Sequence, residues 1–229
     1  MTQKEIAVVV GAGPGLGSAL VTRFARAGMT VAAVSRSGGH VDAIAEAQRK
    51  QVMGYACNAT ESAQVTKVFA QIERELGIPD LVVFNVGTWD RGSILELSPE
   101  LFEGAWRIGC FAGFLVGQAA ARAMLPRGKG TVIFSGATAS IRGGSGFAAF
   151  AVPKFGLRAL AQSMARELQS KGLHVAHVLL DGMIAGDKDA GAGPALIPVE
   201  IAETYFNLHR QDRTAWSHEI DLRPMNERF

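Results

Sequence analysis

Apolar residues along this chain fall in short unbroken runs, separated by longer segments in which they recur every three or four positions. The runs are IAVVV at 6–10, TVAAVS at 30–35, QVMGYAC at 51–57, DLVVFNVG at 80–87, GTVIFSG at 130–136 and LHVAHVLLDG at 173–182. Short runs rich in β-branched residues and bounded by turn formers predict strands. Helical spacing marks Leu16 to Ala27, Val41 to Lys50, Ser62 to Leu76, Pro99 to Met124 and Phe147 to Lys171. The alternation predicts βαβ units, and strands that are apolar throughout are covered on both faces. The expected fold class is therefore α/β, a doubly wound parallel sheet of Rossmann type with helices on both faces. In such sheets ligands bind beyond the carboxyl ends of the strands, so the residues just after each run are where chemistry is expected. The segment AWSHEIDLRP at 215–224 suits a further strand, and the tail MNERF receives no assignment. One stretch, GDKDAGAGPALIP at 186–198, reads as a loop over the mouth of a site.

Composition narrows the class. With 229 residues, 48% of them hydrophobic, the chain suits one domain over 1–229 with a full core. Lys and Arg number 23 against 21 Asp and Glu, a net charge of +2 that gives no field for nucleic acid. No run reaches the roughly 18 consecutive apolar residues of a membrane span, and the opening run is too short for a signal sequence, so a soluble cytoplasmic protein is expected. Cys57 and Cys110, far apart among small or apolar neighbours, are expected to be free thiols, and the five histidines form no ligand cluster, so no metal is expected.

The stretch GAGPGLG at 11–17 follows a strand and opens a helix, where a glycine turn lets backbone N–H groups approach a pyrophosphate. A G-x-G-x-x-G spacing fails at Leu16, whereas G-x-x-x-G-x-G fits through Gly11, Gly15 and Gly17. This spacing resembles that of the short-chain dehydrogenase/reductase family. Three further segments extend the resemblance in the family's order, over about residues 5 to 185. The second strand ends in Ser35-Arg36, where an arginine suits the 2′-phosphate of NADP; a solvated surface arginine is the alternative. CNAT at 57–60 looks like the family's adenine-side segment, with Asn58 in place of an aspartate and Ala59 next to it, and FNVG at 84–87 keeps Asn85 and Gly87. The resemblance thus implies NADP as cofactor, with NAD as the alternative. It places Gly11, Gly15, Leu16, Gly17, Ser35, Arg36, Asn58, Ala59, Asn85, Gly87, Lys154 and Ile184 around the cofactor. It also implies a homo-oligomer, dimer or tetramer, built on the helix at 147–170, where Ala148, Ala149, Ala151, Gly156 and Ala159 allow close approach.

The same resemblance locates the chemistry. In the family a Y-x-x-x-K pair transfers the proton, the lysine lowering the tyrosine pKa and holding the nicotinamide ribose. In FAVPK the lysine position is Lys154, but the tyrosine position is Phe150. The carbonyl-binding serine falls at Ala137 and the relay asparagine at Gly109. Three of the four groups are replaced, so ordinary carbonyl/alcohol interconversion is not expected. The implied function is an NADP(H)-binding, family-level oxidoreductase with a dismantled catalytic set, the alternative being a dinucleotide-binding sensor. Substitute catalytic groups are Thr138, Asp181 and Tyr205. Each also has a plain reading, as a strand-end hydroxyl, an Asp-Gly turn former and an amphipathic helix position respectively. Ala137, Phe147 and Phe150, with Trp89, are expected to line an open substrate pocket.

Overall fold

The computed structural model describes residues 4–37, 50–185 and 195–227. The helix expected at 41–50 falls outside them but for its last residue, as does most of the loop expected at 186–198.

Six strands follow the apolar runs: β1 (Ile6–Val10), β2 (Thr30–Ser35), β3 (Val52–Ala56), β4 (Leu81–Phe84), β5 (Gly130–Ser135) and β6 (Leu173–Leu180). Two short strands, β7 (Met183–Ile184) and β8 (Ala195–Leu196), pair only with each other, and β9 (Glu219–Leu222) is the strand expected near the C-terminus. The main sheet has the order β3-β2-β1-β4-β5-β6-β9, every pairing parallel. Alternate side chains of β1 explain why its run is apolar throughout: Val8 and Val10 enter one core layer, Ala7 and Val9 the other.

Helices α1 (Leu16–Arg26), α2 (Ser62–Glu75), α3 (Pro99–Trp106), α4 (Ala112–Met124), α5 (Ala148–Leu168) and α6 (Pro198–His209) cover the sheet. Leu20 and Phe24 of α1 pack with Ile201 and Tyr205 of α6 on one face. On the other, Phe69 and Ile72 of α2 join Leu115 and Val116 of α4 and Leu157 of α5. The segment read as one helix over 99–124 is interrupted. It starts at Ser98, whose Oγ accepts from the Leu101 N–H at 3.2 Å, with Pro99 at the first helical position. It then widens into a π turn at Arg107–Phe111 before continuing as α4. Counted from 99 to 127 this stretch is long and apolar enough to cross a membrane, but half of its most apolar window is buried within the fold. It serves here as a core helix.

Candidate active site

The carboxyl ends of β1 to β4 open into a cleft of about 560 Å³. Its floor is the glycine turn. Gly11 has φ +96°, and a Cβ there would lie 2.3 Å from the Asn85 carbonyl oxygen; a Cβ on Gly17 would lie 2.3 Å from the Gly11 carbonyl oxygen. The turn is thus pressed against β4 on one side and the start of α1 on the other, which only glycine permits. The Asn85 amide reaches back to the Gly11 carbonyl at 3.4 Å, tying the ends of β1 and β4 together.

Of the expected cofactor residues, Gly11, Ser35, Arg36, Asn58, Ala59, Asn85 and Gly87 line this cleft. Gly15, Leu16 and Gly17 do not; Leu16 is part of the core beneath the turn. Gly13, Pro14, Ser37, Thr60, Thr88 and Ile108 also line it and were not singled out from the sequence. All but Ile108 lie within two positions of a residue that was, so extending each motif by a position or two finds them. Asn58 is a turn builder: its Oδ1 accepts from the Thr60 N–H at 3.2 Å and the Thr60 hydroxyl at 2.9 Å. What it can still offer a ligand is its amide donor.

The residues present fit a dinucleotide. The glycine turn leaves open space at Gly13 and Gly15, where a Cβ would meet nothing within 4 Å, and at the end of β2 the Ser35 hydroxyl is buried without a hydrogen-bond partner among the described residues. Exposed Arg36 stands beside it, and no acidic residue among the described residues lines the cleft.

Asn85, Val86 and Gly87 also belong to a second pocket of about 280 Å³, continuous with the first, which reaches Trp89, Ala137, Phe150, Lys154 and Ile184. Of the expected cofactor residues, Lys154 and Ile184 line this second pocket. Lys154 is 7% exposed, and its ammonium donates to the Ser135 carbonyl at 2.9 Å. Burial lowers its pKa from the ordinary lysine value to about 8. Four residues earlier on α5, Phe150 presents a ring to this pocket, packed with Ala137, Ala139 and Phe147. Trp89 meets the Phe150 ring edge-on at 4.7 Å and that of Phe147 at 5.8 Å, and the Arg91 guanidinium lies 4.4 Å over Phe147. Phe147 flanks the pocket through these contacts and does not line it.

The three substitute groups fare differently. Thr138 and Asp181 come together just behind the pocket: the Thr138 hydroxyl donates to Asp181, whose other oxygen pairs with Arg223 at 3.2 Å. The hydroxyl proton is thereby held by a carboxylate, and that carboxylate by a guanidinium. Sequence reasoning missed Arg223, which arrives just after β9. Tyr205 does not face the cleft. It is fully buried on α6, its hydroxyl 2.9 Å from the Ser135 Oγ, and burial pushes its pKa up. His209, one turn on, points to the opposite end of the sheet, where its Nδ1 lies 3.0 Å from Thr131 Oγ1. The pair spans β5 from its carboxyl end at Ser135 to its amino end at Thr131, because α6 runs along that strand. Tyr55, the other tyrosine, donates to Glu75 at 3.0 Å.

Gly109 lies in the π turn, and a Cβ there would sit 2.9 Å from the Pro153 Cβ. Pro153, inside α5, occupies the room that a side chain at 109 would need. A proline at this depth deprives the Ala149 carbonyl of its helical donor, a disruption that costs about 3 kcal/mol in an ordinary helix interior. Both cysteines are free; Cys57 is buried and Cys110 half-buried. Among the described residues no three His, Cys, Asp or Glu side chains form a metal site. Another cavity, of about 570 Å³, lies at the amino ends of the strands beside Lys171 and Trp216, away from all of these groups.

The comparisons with known proteins agree with this geometry. Residues 5–189 match the short chain dehydrogenase family model. A short-chain dehydrogenase from Rhodopseudomonas palustris is 37% identical, with a TM-score of 0.87 over 96% of this chain and 98% of its own. The 3-oxoacyl-[acyl-carrier-protein] reductase of Mycobacterium bovis is 31% identical over 180 residues, 79% of this chain and 69% of that protein. A metagenomic short-chain oxidoreductase in complex with NADP, 24% identical, shares the fold with a TM-score of 0.85 over 96% of this chain and 97% of its own. The parallel sheet is thus the fold of these relatives, and the chain belongs to the short-chain dehydrogenases.

Proposed function

We propose that this oxidoreductase-family protein binds NADP(H) across the two joined pockets and does not carry out ordinary carbonyl reduction. The adenosine half would lie in the larger cleft, with Asn58 and Ala59 at the adenine, Ser35 and Arg36 at the 2′-phosphate, and the glycine turn at the pyrophosphate. Lys154 and Asn85 would hold the nicotinamide ribose, beside Gly87 and Ile184. NADPH, when bound, supplies hydride at the mouth of the smaller pocket. The observation that carries the reading is that, among the described residues, Lys154 is the one charged side chain lining that pocket. An aldehyde or ketone entering there meets a methyl at Ala137 and a phenyl ring at Phe150. General acid assistance, worth roughly 10²–10⁴ in rate, then has no hydroxyl at either position to deliver it, and the Ser135 hydroxyl in the pocket wall is paired with Tyr205.

Two lines of activity remain within this reading. An acceptor already activated towards hydride needs no proton from a tyrosine, and Thr138 and Asp181 flank such a substrate. The second is a sensor that binds the dinucleotide without turnover. It is favoured by the tying-up of the Thr138 hydroxyl and Asp181 by each other and by Arg223.

NADP preference is supported by Arg36 in the cleft, by the lack of an acidic residue among the described residues that line it, and by the NADP-bound protein of the same fold. A guanidinium pairing with a 2′-phosphate makes NADPH bind at least about tenfold more tightly than NADH, and Arg36→Ala narrows that gap. Calorimetric titration of both cofactors measures it. Equal dissociation constants in the unmutated protein overturn the NADP assignment.

A further inference from the structure

A buried ammonium needs a partner, and Lys154 has a poor one. At 7% exposure it donates to a single neutral acceptor, the Ser135 carbonyl, and among the described residues no carboxylate pairs with it. Two acids at this end of the sheet, Glu219 and Asp181, have other partners among the described residues. Glu219 is bonded to Arg158 at 2.7 Å and to His177 Nδ1 at 2.9 Å, and Asp181 to Thr138 and Arg223. Behind Gly136, the His177 ring gives its Nδ1 proton to Glu219 and turns an unpartnered Nε2 inward, so it brings no charge of its own to the lysine at neutral pH. Arg91 stays outside, on the Phe147 ring. The residue four positions before Lys154 that would offer an oxygen in a Y-x-x-x-K pair is a phenylalanine.

The space before Nζ is apolar, walled by Trp89, Ala137, Phe150, Leu180, Met183 and Ile184. An ammonium held this way is relieved by releasing its proton, and the neutral amine left behind is a nucleophile. We propose that Lys154 is a nucleophilic amine that condenses with small apolar aldehydes entering this pocket, forming an imine at Nζ. The Nζ lone pair attacks the carbonyl carbon, and one Nζ proton passes through solvent to the oxygen, giving a carbinolamine. That hydroxyl leaves with the remaining Nζ proton as water, and a C=N bond remains. No oxidant or reductant is required. The pocket of about 280 Å³ admits a single aromatic ring, and the edges of Trp89 and Phe150 suit one. The imine step stands independently of the nucleotide reading; only the competition arm of its test rests on that reading.

The test is reductive trapping of the unmutated protein with benzaldehyde and sodium cyanoborohydride, followed by peptide mass spectrometry. At pH 7 an amine with a pKa of about 8 is neutral about 200-fold more often than an ordinary lysine. A benzyl adduct on Lys154 is therefore expected to form well ahead of adducts on the exposed Lys129 and Lys171. Its rate is expected to rise with a midpoint near pH 8, and saturating NADP is expected to protect Lys154 but not Lys129. Labelling of Lys129 and Lys171 with none at Lys154 overturns the inference. An adduct on Lys154 that NADP fails to suppress upholds the inference and contradicts the nucleotide placement instead.

Discussion

Phe150 and Lys154 lie one turn apart on α5 and face the same pocket, so restoring a hydroxyl is a test that the geometry invites. Phe150→Tyr alone is expected to give little carbonyl reduction, because Ala137 still offers no hydroxyl to the carbonyl. The double variant Phe150→Tyr, Ala137→Ser is expected to exceed the sum of the single changes, since groups acting as a unit are non-additive. NADPH oxidation with small aldehydes across the four proteins measures this, and additive or absent gains count against it. Each new hydroxyl also costs about 1–3 kcal/mol of stability if it finds no partner in this apolar pocket.

The order of motifs along the chain is what assigns the expected positions Phe150, Ala137 and Gly109 before any contact is known. It did not reveal why Gly109 stays empty. That depends on Pro153, which lies 44 positions on in another helix and occupies the space across the helix contact, a pairing that no spacing along the chain announces. Arg223 was invisible for the same reason: its partner Asp181 reads locally as one half of an Asp-Gly turn. Tyr205 was placed one helical turn from His209, yet only the packing of α6 decides that its hydroxyl ends in the core.

At the scale of elements, β1 and β2 could be read to the residue, since unbroken β-branched runs in a covered parallel sheet leave no other choice. The helix at 99–124 was read as one piece because its apolar period persists through the π turn, whose cause is tertiary. The least expected element detail is the seam between β6 and β9. His174 Nε2 meets the Ser217 carbonyl at 2.8 Å, His177 Nδ1 meets Glu219 at 2.9 Å, and His218 Nδ1 meets the Val175 carbonyl at 3.1 Å. Arg158 holds the far side of Glu219.

Burial lowers the His177 pKa from 6.5 to about 4 against the opposing pull of Glu219, and lowers that of His174 as well. A histidine whose folded pKa is depressed stays neutral while the unfolded chain takes up a proton. Its contribution is therefore full above about pH 6.5 and is lost as pH falls towards 4. For fully buried His177 the loss is on the order of 3 kcal/mol. Urea unfolding at pH 7.5, 6, 5 and 4.5 is expected to show a falling midpoint across that window. His177→Gln is expected to flatten the fall, and a profile unchanged by the substitution removes His177 as its source.

At the scale of the whole molecule, the expected helix contact between subunits needs a change of detail. Ala149 and Ala151 are buried inside the subunit, and Gly156 is backed by Cys110, where a Cβ would meet the sulfur at 2.7 Å. The surface that α5 offers instead is Val152, Phe155 and Ala159, all exposed, one stripe at helical spacing. Exposed Trp106 and Phe114 add further apolar surface on α3 and α4. A homo-oligomer covering this stripe is the expectation, and the double change Val152→Glu, Phe155→Glu is expected to shift the mass in light scattering to that of one chain. A one-chain mass for the unmutated protein at micromolar concentration contradicts it.

The two pockets, continuous through Asn85, Val86 and Gly87, also set the decisive assay for the molecule as a whole. With the protein saturated by NADPH, as followed by cofactor fluorescence, its oxidation is recorded against a panel of small aldehydes and ketones with blanks subtracted. The account predicts saturable binding with no carbonyl-dependent oxidation above the blank; robust turnover of the panel by the unmutated protein contradicts it.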